Sequence, residues 1–249
     1  MIVVMPMAGR GSRFAGHGVA RPKPLIPVAG KPMFAWALDS LEGMAYRHIV
    51  FVVLAEHEAH FDVTSLVRRY AGDRATVVLI NDVTEGQLCS VLAARDYFDS
   101  DEDVLVASSD TYVRSNLARD IARCRPACHG LISVADLPGD RWSFARTDES
   151  GAVVEVAEKV RISDHASTGM YYFANGRRFV ETADAMIANE EKTRGEYYVI
   201  PVYQKYIDQG LRVELSVAQA MWDMGTPEAL AAFERHLADQ APERSPFEA

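Results

Sequence analysis

Positive charge, cysteine and long apolar runs are all scarce in this chain of 249 residues. Lys and Arg number 26 against 35 Asp and Glu, a net charge of −9, whereas a general nucleic-acid binder normally has a basic surplus. The 3 cysteines cannot all pair, which favours a reducing compartment. No apolar run approaches the ~20 residues that span a bilayer, and no secretion signal is recognisable. We therefore expect a cytoplasmic protein with no nucleic-acid or membrane partner.

What the chain does contain is an ordinary globular composition, with 49% hydrophobic and 24% charged residues. In the first half, apolar runs alternate with helical patterns. The runs that predict strands are Ile2–Met5, His48–Leu54, Thr76–Ile80 and Val104–Ala107, and the patterns that predict helices are Met33–Leu41, Ala55–Tyr70 and Gln87–Tyr97. This alternation predicts an α/β fold, Rossmann-like and three-layered, with a mostly parallel central sheet.

The second half has shorter apolar runs separated by turns, which predicts an inserted, smaller β-rich part. Its predicted strands are Gly130–Ala135, Ser143–Thr147, Val153–Val156, Met170–Phe173, Arg212–Leu215 and Val217–Met221, and its predicted helices are Arg177–Asn189, Tyr198–Gln209 and one that begins near Pro227. We expect a single domain over residues 1–240, with halves of about 1–128 and 129–240. Residues 241–249 are expected to form a frayed polar tail.

The loop after the first strand combines glycine with positive charge. Gly9 and Gly11 allow a sharp turn that exposes backbone N–H groups, and such groups form an anion-binding nest. Arg10, Arg13 and Lys23 place cations beside it, so the loop favours a polyphosphate ligand. It matches neither the Walker loop nor the dinucleotide-binding G-x-G-x-x-G pattern. An ordinary glycine-rich turn is the alternative.

Eight short motifs, taken in their order along the chain, indicate which family of phosphate-binding proteins the sequence resembles. They are Gly9-Arg10-Gly11-Ser12-Arg13, Pro22-Lys23-Pro24-Leu25, Gly30-Lys31-Pro32-Met33, Glu85-Gly86-Gln87, Ser109-Asp110, Glu158-Lys159, Gly169-Met170-Tyr171-Tyr172-Phe173 and Trp222-Asp223-Met224-Gly225-Thr226-Pro227-Glu228. From residue 1 to about 230 the chain resembles the sugar-1-phosphate nucleotidyltransferases, also called nucleoside-diphosphate-sugar pyrophosphorylases. The resemblance is to a short form without a C-terminal β-helix, and Pro6-Met7-Ala8 is closer to the surface-polymer branches.

Two aspartates are the candidate metal ligands. Asp110 and Asp223 each follow a predicted strand. Two carboxylates at one sheet edge suit Mg²⁺, which takes one or two carboxylates together with substrate phosphates. The resemblance implies that these two residues bind the catalytic Mg²⁺. The alternative is that Asp110 caps a turn and Asp223 caps the last helix.

The resemblance also implies the remaining site residues. The nucleotide side comprises Ala8, Gly9, Gly11, Ser12, Arg13, Gln87 and Asp110, and Arg13, Lys23 and Asp110 are the implied catalytic group. The acceptor side comprises Lys23, Glu158, Lys159, Gly169 and Tyr198, with Lys159 on the acceptor phosphate and Glu158 on sugar hydroxyls. From the residues alone, Lys159 can instead be a solvated lysine, and Tyr198 can belong to the core.

The activity implied is Mg²⁺-dependent transfer of a nucleotide, with a pyrimidine NTP favoured, to a sugar 1-phosphate, in cell-surface polysaccharide synthesis. Two alternatives stay open: a CTP-dependent cytidylyltransferase for phosphocholine or another alcohol or polyol phosphate, and an inactive nucleotide-sugar-binding regulator. A homo-oligomer is compatible with each. The Cys124-x3-Cys128-His129 pattern hints at zinc but lacks a second ligand pair, so buried thiols on a helix are favoured.

Overall fold

A computed structural model describes residues 1–9, 11, 14 and 21–240. The strands in this part of the chain are β1 (Ile2–Pro6), β2 (Pro27–Val28), β3 (Lys31–Pro32), β4 (His48–Leu54), β5 (Ala75–Ile80), β6 (Val104–Ala107), β7 (Thr111–Arg114), β8 (Gly130–Ala135), β9 (Ser143–Thr147), β10 (Val153–Glu158), β11 (Ala166–Phe173), β12 (Val213–Val217) and β13 (Ala220–Asp223). The helices are α1 (Met33–Asp39), α2 (Ala55–Phe61), α3 (Val63–Ala71), α4 (Gln87–Leu92), α5 (Leu117–Cys124), α6 (Gly176–Ala188), α7 (Pro201–Asp208) and α8 (Pro227–Gln240).

Nine strands form the central sheet, in the order β10-β9-β11-β6-β1-β4-β5, with β8 on β11 and β12 on β8. Strands β6, β1, β4 and β5 are parallel to one another. Strand β11 runs antiparallel to β6, β8 and β9, and so joins the parallel region to the β-rich second half. The α/β fold expected from the strand–helix alternation is confirmed.

The two faces of the sheet carry separate apolar cores. Val3 and Met5 of β1 pack with α1, α3 and α5, whereas Ile2 and Val4 pack with α4, α6 and α7. Because successive side chains of a strand point to opposite faces, each parallel strand contributes to both cores. This gives the three layers that the sequence predicted.

The predicted helix over Ala55–Tyr70 is wrong in one respect, because the chain forms two helices there. Asp62 lies between α2 and α3 in the left-handed region, with φ of 47°, and its carboxylate accepts a hydrogen bond from Ser65 N–H. Aspartate tolerates this conformation and caps helices well. The helix predicted to run to Tyr97 also ends early, at Leu92, and is followed by a short 3-10 turn.

Three further differences affect the second half of the chain. The helix predicted from Tyr198 begins at Pro201, where proline is favoured in the first turn. The two short strands predicted before the last helix lie further along, so that Asp223 ends β13 instead of following it. Strand β7 was not predicted, and it pairs with β13 in a separate antiparallel sheet.

A third apolar cluster holds the last helix to this small sheet. Phe233 of α8 contacts the rings of Trp36, Tyr112 and Trp222, and Met224 is fully buried among them. The aromatic contacts fix β13 against the rest of the molecule. None of the helices that the structure describes is long and apolar enough to cross a membrane.

Cys124, the last residue of α5, and Cys128 are both buried, and their sulfur atoms are in contact. Cys89 carries a free thiol. A carboxylate oxygen of Glu214 lies within 4.8 Å of both contacting sulfurs. Among the described residues, Glu214 is the one further ligand grouped with the two cysteines, so the second ligand pair that a zinc site needs is not found there. The cytoplasmic location stays a prediction.

Candidate active site

The pairing of β7 with β13 brings Asp110 and Asp223 together. Asp110 lies between β6 and β7, and Asp223 is paired with Thr111, the next residue after Asp110. A backbone hydrogen bond of 2.8 Å from Met224 N–H to the Asp110 carbonyl closes the arrangement. The two carboxylates meet because of this small sheet, which the sequence analysis did not predict.

Gly225 lines the space that the two carboxylates share. A Cβ atom at this position would lie 2.9 Å from Asp223 Oδ1 and 3.2 Å from Asp110 Oδ2, and Gly225 N–H donates to Asp223 Oδ1 over 2.9 Å. Any larger residue would therefore intrude between the two oxygens. Together the residues form a compact site of hard oxygen donors that could hold a divalent cation.

Each carboxylate also accepts a hydrogen bond from a cationic side chain. Lys23 Nζ lies 2.5 Å from Asp110 Oδ2, and Arg141 Nη2 lies 2.7 Å from Asp223 Oδ2. Lys23 was expected to face the reacting groups, whereas Arg141 was not singled out. Arg141 lies in the polar segment between β8 and β9, where no local pattern marks a functional residue.

A cavity of about 410 Å³, which we call the first cavity, opens at the carboxyl ends of β1 and β6. Ligands in open α/β sheets bind at this edge. The predicted site residues that line it are Ala8, Gly9, Lys23, Gln87, Asp110 and Tyr198. Residues that the sequence analysis did not single out also line it, among them Thr84, Ser90, Ser108 and Glu196.

A second cavity, of about 250 Å³, adjoins the first. The predicted site residues that line it are Gln87, Asp110, Glu158, Gly169, Tyr198 and Asp223. Residues lining both cavities are Gln87, Ser108, Asp110 and Tyr198. The two cavities therefore meet at Asp110, beside the two carboxylates.

Glu158 is the buried acid of the second cavity. It ends β10, is 8% exposed, and accepts a short hydrogen bond from Ser143 Oγ. Burial raises the pKa of this carboxyl, and the Ser143 hydroxyl partly opposes the change. Burial also raises the pKa of the neighbouring Tyr171 to about 12. A buried carboxyl group with a shifted pKa is typical of functional sites.

Lys159 contacts the wall that the two cavities share. Neither cavity has Lys159 among its described lining residues, but its ammonium donates to the Tyr198 hydroxyl and lies 4.4 Å from the centre of the Tyr198 ring. The backbone at Lys159 is left-handed, with φ of 55°, and Arg194 donates to its carbonyl over 3.0 Å. Non-glycine residues rarely adopt this conformation except at special sites.

Gln87 and Tyr198 are held in place by a backbone clamp. Leu88 N–H donates to the Tyr197 carbonyl over 3.0 Å, and Tyr197 N–H donates to the Glu85 carbonyl over 2.9 Å. Gly86 has φ of 139°, and a Cβ there would lie 2.4 Å from the Tyr197 carbonyl oxygen. The close approach that requires glycine at position 86 is thus with the backbone of Tyr197.

Gly169 has a similar structural requirement. It lies at an irregularity of β11 with φ of 84°, and a Cβ there would lie 2.3 Å from Ser108 Oγ. Ser108 N–H in turn donates to the Gly169 carbonyl over 2.9 Å. The Ser108 side chain therefore fills the space beside Gly169, a residue that we had expected on the acceptor side.

The glycine-rich loop is only partly placed. Ser12 and Arg13 lie outside the described residues, so their assignment to the nucleotide stays a prediction. Gly11 has φ of 61°, and a Cβ there would lie 2.9 Å from Lys23 Cβ. Gly11 therefore packs against Lys23 and is not among the described residues that line the first cavity.

The two aspartates and both cavities lie in a region of the chain that matches a known protein family. Residues 3–240 match the family model described as nucleotidyl transferase. The chain belongs to the nucleotidyl transferase family. This confirms the resemblance carried by the motifs between the N-terminal loop and Glu228, and places both cavities inside the region that the family shares.

Two relatives of this chain are informative. A CMP-5'-(3-aminopropyl)phosphonate synthase of Streptomyces rubellomurinus is 30% identical over 159 residues, which cover 64% of this chain and 24% of the relative. A glucose-1-phosphate thymidylyltransferase of Streptomyces antibioticus is 28% identical over 229 residues, which cover 86% of this chain and 59% of the relative. In both matches the aligned region is less than two thirds of the relative's own length.

The fold of this chain is also found among solved structures. The nucleoside-diphosphate-sugar pyrophosphorylase from Vibrio cholerae superposes with a TM-score of 0.80 and 26% sequence identity, covering 94% of this chain and 99% of that one. The likeness extends over both halves of the chain, so the β-rich second half belongs to the shared fold.

Proposed function

We propose that this protein transfers a nucleotide from an NTP to a phosphate-bearing acceptor and releases pyrophosphate. The observation that carries the proposal is that two cavities meet at Asp110, directly beside Asp223. One cavity is lined by Ala8 and Gly9 of the glycine-rich loop, and the other is lined by the buried acid Glu158. Two substrates bound in these cavities would face each other at the carboxylates.

In the reaction, a phosphate oxygen of the acceptor attacks the α-phosphorus of the NTP. The bond from this phosphorus to the oxygen bridging to the β-phosphate breaks, and pyrophosphate leaves with the electron pair. A phosphate monoester is already anionic at neutral pH, so no general base is needed. The chain's task is to position two anions and to offset their charge, and Lys23, at the side of Asp110, supplies one cation for it.

We further propose Mg²⁺ as the cofactor, held by Asp110 and Asp223. The donor set fits, because both ligands are carboxylate oxygens and the Gly225 backbone leaves the space between them free of a side chain. When bound, the ion would supply neutralisation of charge at the α-phosphate.

A sugar 1-phosphate is the acceptor that the second cavity favours. Glu158 and the Ser143 hydroxyl offer hydrogen-bonding groups for sugar hydroxyls. Two of the aromatic rings that line this cavity already carry cations of the protein. The Arg141 guanidinium lies 4.2 Å from the Trp142 ring centre, and the Lys159 ammonium covers Tyr198. The thymidylyltransferase relative is named for glucose 1-phosphate.

A second candidate is cytidylyl transfer to a small phosphate or phosphonate that carries an amine. The relative from Streptomyces rubellomurinus is named for CMP and an aminopropyl phosphonate, and the buried Glu158 could face an ammonium group. Both named relatives use pyrimidine nucleotides, which supports a pyrimidine NTP here. A role in cell-surface polysaccharide synthesis, a cytoplasmic location and a homo-oligomeric state stay predictions.

A pyrophosphate-release screen tests the proposal. Each of the common NTPs is combined, with Mg²⁺ or with EDTA, with glucose 1-phosphate, other hexose 1-phosphates, phosphocholine or 3-aminopropylphosphonate. We expect Mg²⁺-dependent release with one NTP and a sugar 1-phosphate. Release with the amine-bearing acceptors alone supports the second candidate. If no pair gives turnover but nucleotide sugars bind, the protein is a binding regulator and the proposal is wrong.

A further inference from the structure

Arg141 is placed to compete with a divalent cation for Asp223. Its Nη2 atom lies 2.7 Å from Asp223 Oδ2, so the guanidinium occupies one of the two oxygens of a proposed metal ligand. The other oxygen, Oδ1, accepts the Gly225 N–H. A divalent cation at Asp223 and the Arg141 guanidinium would repel each other across one carboxylate.

The two partners differ in how freely they can move. The Arg141 side chain is 45% exposed, whereas that of Asp223 is 13% exposed. Asp223 is also fixed by the β7–β13 pairing and by the aromatic cluster behind it. Arg141 lies in the segment between β8 and β9, outside regular structure. If the pair separates, the arginine is therefore the partner that moves.

The second cavity offers the displaced guanidinium a new ligand. Arg141 lines this cavity together with Asp110 and Glu158, and its guanidinium lies 4.2 Å from the centre of the Trp142 ring, another lining residue. Stacking on this ring would keep the group at the cavity while its N–H groups turn. A guanidinium binds phosphate through two parallel hydrogen bonds, which an ammonium cannot do.

We propose that Arg141 is an exchangeable cation that couples metal binding to acceptor binding. It pairs with Asp223 until a divalent cation takes this carboxylate, and the released guanidinium then binds the phosphate of the acceptor. The inference rests on the proposed function for the identity of the acceptor site. Because coupling between two binding sites is reciprocal, a metal that releases Arg141 strengthens acceptor binding, and the acceptor phosphate strengthens metal binding by the same factor.

The test is a set of binding measurements without turnover. The affinity for Mn²⁺, followed by electron paramagnetic resonance, and the affinity for glucose 1-phosphate, followed by calorimetry, are each measured with and without the other ligand. Wild type is compared with Arg141→Ala and Arg141→Lys. Arg161→Ala is the matched control, because Arg161 pairs with the exposed Asp164 and contacts the Phe144 ring in a similar way.

In wild type we expect each ligand to tighten the binding of the other. Arg141→Ala should bind Mn²⁺ more tightly, because the competitor is gone. It should bind glucose 1-phosphate about tenfold or more weakly, as the loss of a charge-assisted contact implies, and the coupling should vanish. The lysine in Arg141→Lys should still compete in part with Mn²⁺ for Asp223, but the variant should not regain the wild-type affinity for glucose 1-phosphate. Arg161→Ala should behave as wild type.

The proposal is overturned if Arg141→Ala weakens Mn²⁺ binding, or if both affinities and their coupling are unchanged. Thermal unfolding checks that the alanine variant folds, and Arg141→Lys gives the decision if it does not. Failure of the proposed function is distinguishable. In that case wild type shows no turnover with any acceptor and no phosphate coupling, while tighter Mn²⁺ binding in Arg141→Ala still reports the competition at Asp223.

Discussion

Lys23 donates a hydrogen bond of 2.5 Å to Asp110, 87 positions further along the chain. The lysine follows the loop after β1 and the aspartate follows β6, and these two strands are neighbours in the sheet. The contact joins the glycine-rich loop to the edge where the two carboxylates meet. Both side chains are only 24% exposed, so the pair is a fixed part of the site.

Asp110→Asn should therefore abolish most of the nucleotidyl transfer. The amide keeps the shape but cannot supply the charge that holds a divalent cation, and the loss of such a contribution to the transition state costs several kcal/mol. Pyrophosphate release measures the rate, and thermal unfolding checks the fold. Asp39→Asn is the matched control, because Asp39 at the end of α1 pairs with Lys31 of β3, and neither residue lines a cavity. An asparagine variant at position 110 with full activity would falsify the assignment.

Gly225→Ala should reduce metal binding while the fold persists. The added methyl would lie 2.9 Å from Asp223 Oδ1 and 3.2 Å from Asp110 Oδ2, closer than ordinary contacts allow. We expect weaker Mn²⁺ binding in titrations of the purified protein and a raised Mg²⁺ requirement. Gly43→Ala is the control. Its φ of 76° makes alanine strained there, but nothing lies near the new methyl, so it should lower stability only. Unchanged Mn²⁺ affinity in Gly225→Ala would show that the two carboxylates do not share a metal.

Lys159→Ala should raise the KM for the acceptor and leave NTP affinity nearly unchanged. The lysine contacts Tyr198, which lines both cavities, and its Nζ atom lies 3.9 Å from Oε1 of Glu158, which lines the second. Lys159→Arg should not restore the wild-type KM, because a planar fork replaces a compact ammonium. Lys192→Ala is the control, since Lys192 lies over the adjacent Tyr197 ring and pairs with exposed Glu85. If NTP binding weakens and the acceptor is spared, the assignment of Lys159 to the acceptor is wrong.

Glu158→Gln should change how stability depends on pH. Burial raises the pKa of Glu158 above its ordinary value of 4.5, so the folded protein holds this proton to higher pH than the unfolded chain does. The carboxyl therefore contributes stability below its unfolded pKa and loses it as the pH rises through the folded pKa. The free energy of unfolding of the glutamine variant, relative to wild type, should increase from pH 4 towards neutrality.

Urea unfolding at a series of pH values measures this difference. Glu155→Gln on the same strand is the control, because the Glu155 side chain is 43% exposed and paired with Arg146, and it should show no such rise. If the free energies of unfolding of Glu158→Gln and wild type differ by the same amount at every pH, burial does not raise the pKa of Glu158.

The sequence predicted the central strands well and the site only in part. His48–Leu54 and Val104–Ala107 have the predicted bounds, because an uninterrupted apolar run suits a strand buried on both faces. The break at Asp62 was missed, since one left-handed residue leaves the apolar pattern on either side unchanged. Arg141 was missed for another reason. Its role depends on contact with Asp223, 82 positions away, and no local pattern encodes such a contact.

Strand β11 has a consequence for how substrates can enter. It is hydrogen-bonded to β6 and, near Ala166, to β9 on one edge and to β8 on the other, so the sheet is continuous between the two halves of the chain. Opening the site by rotating one half against the other would tear this sheet. Access must instead come from side chains and loops at its rim. Exchange of the residues between β8 and β9 for those of another family member is therefore a way to alter acceptor preference while the scaffold stays rigid.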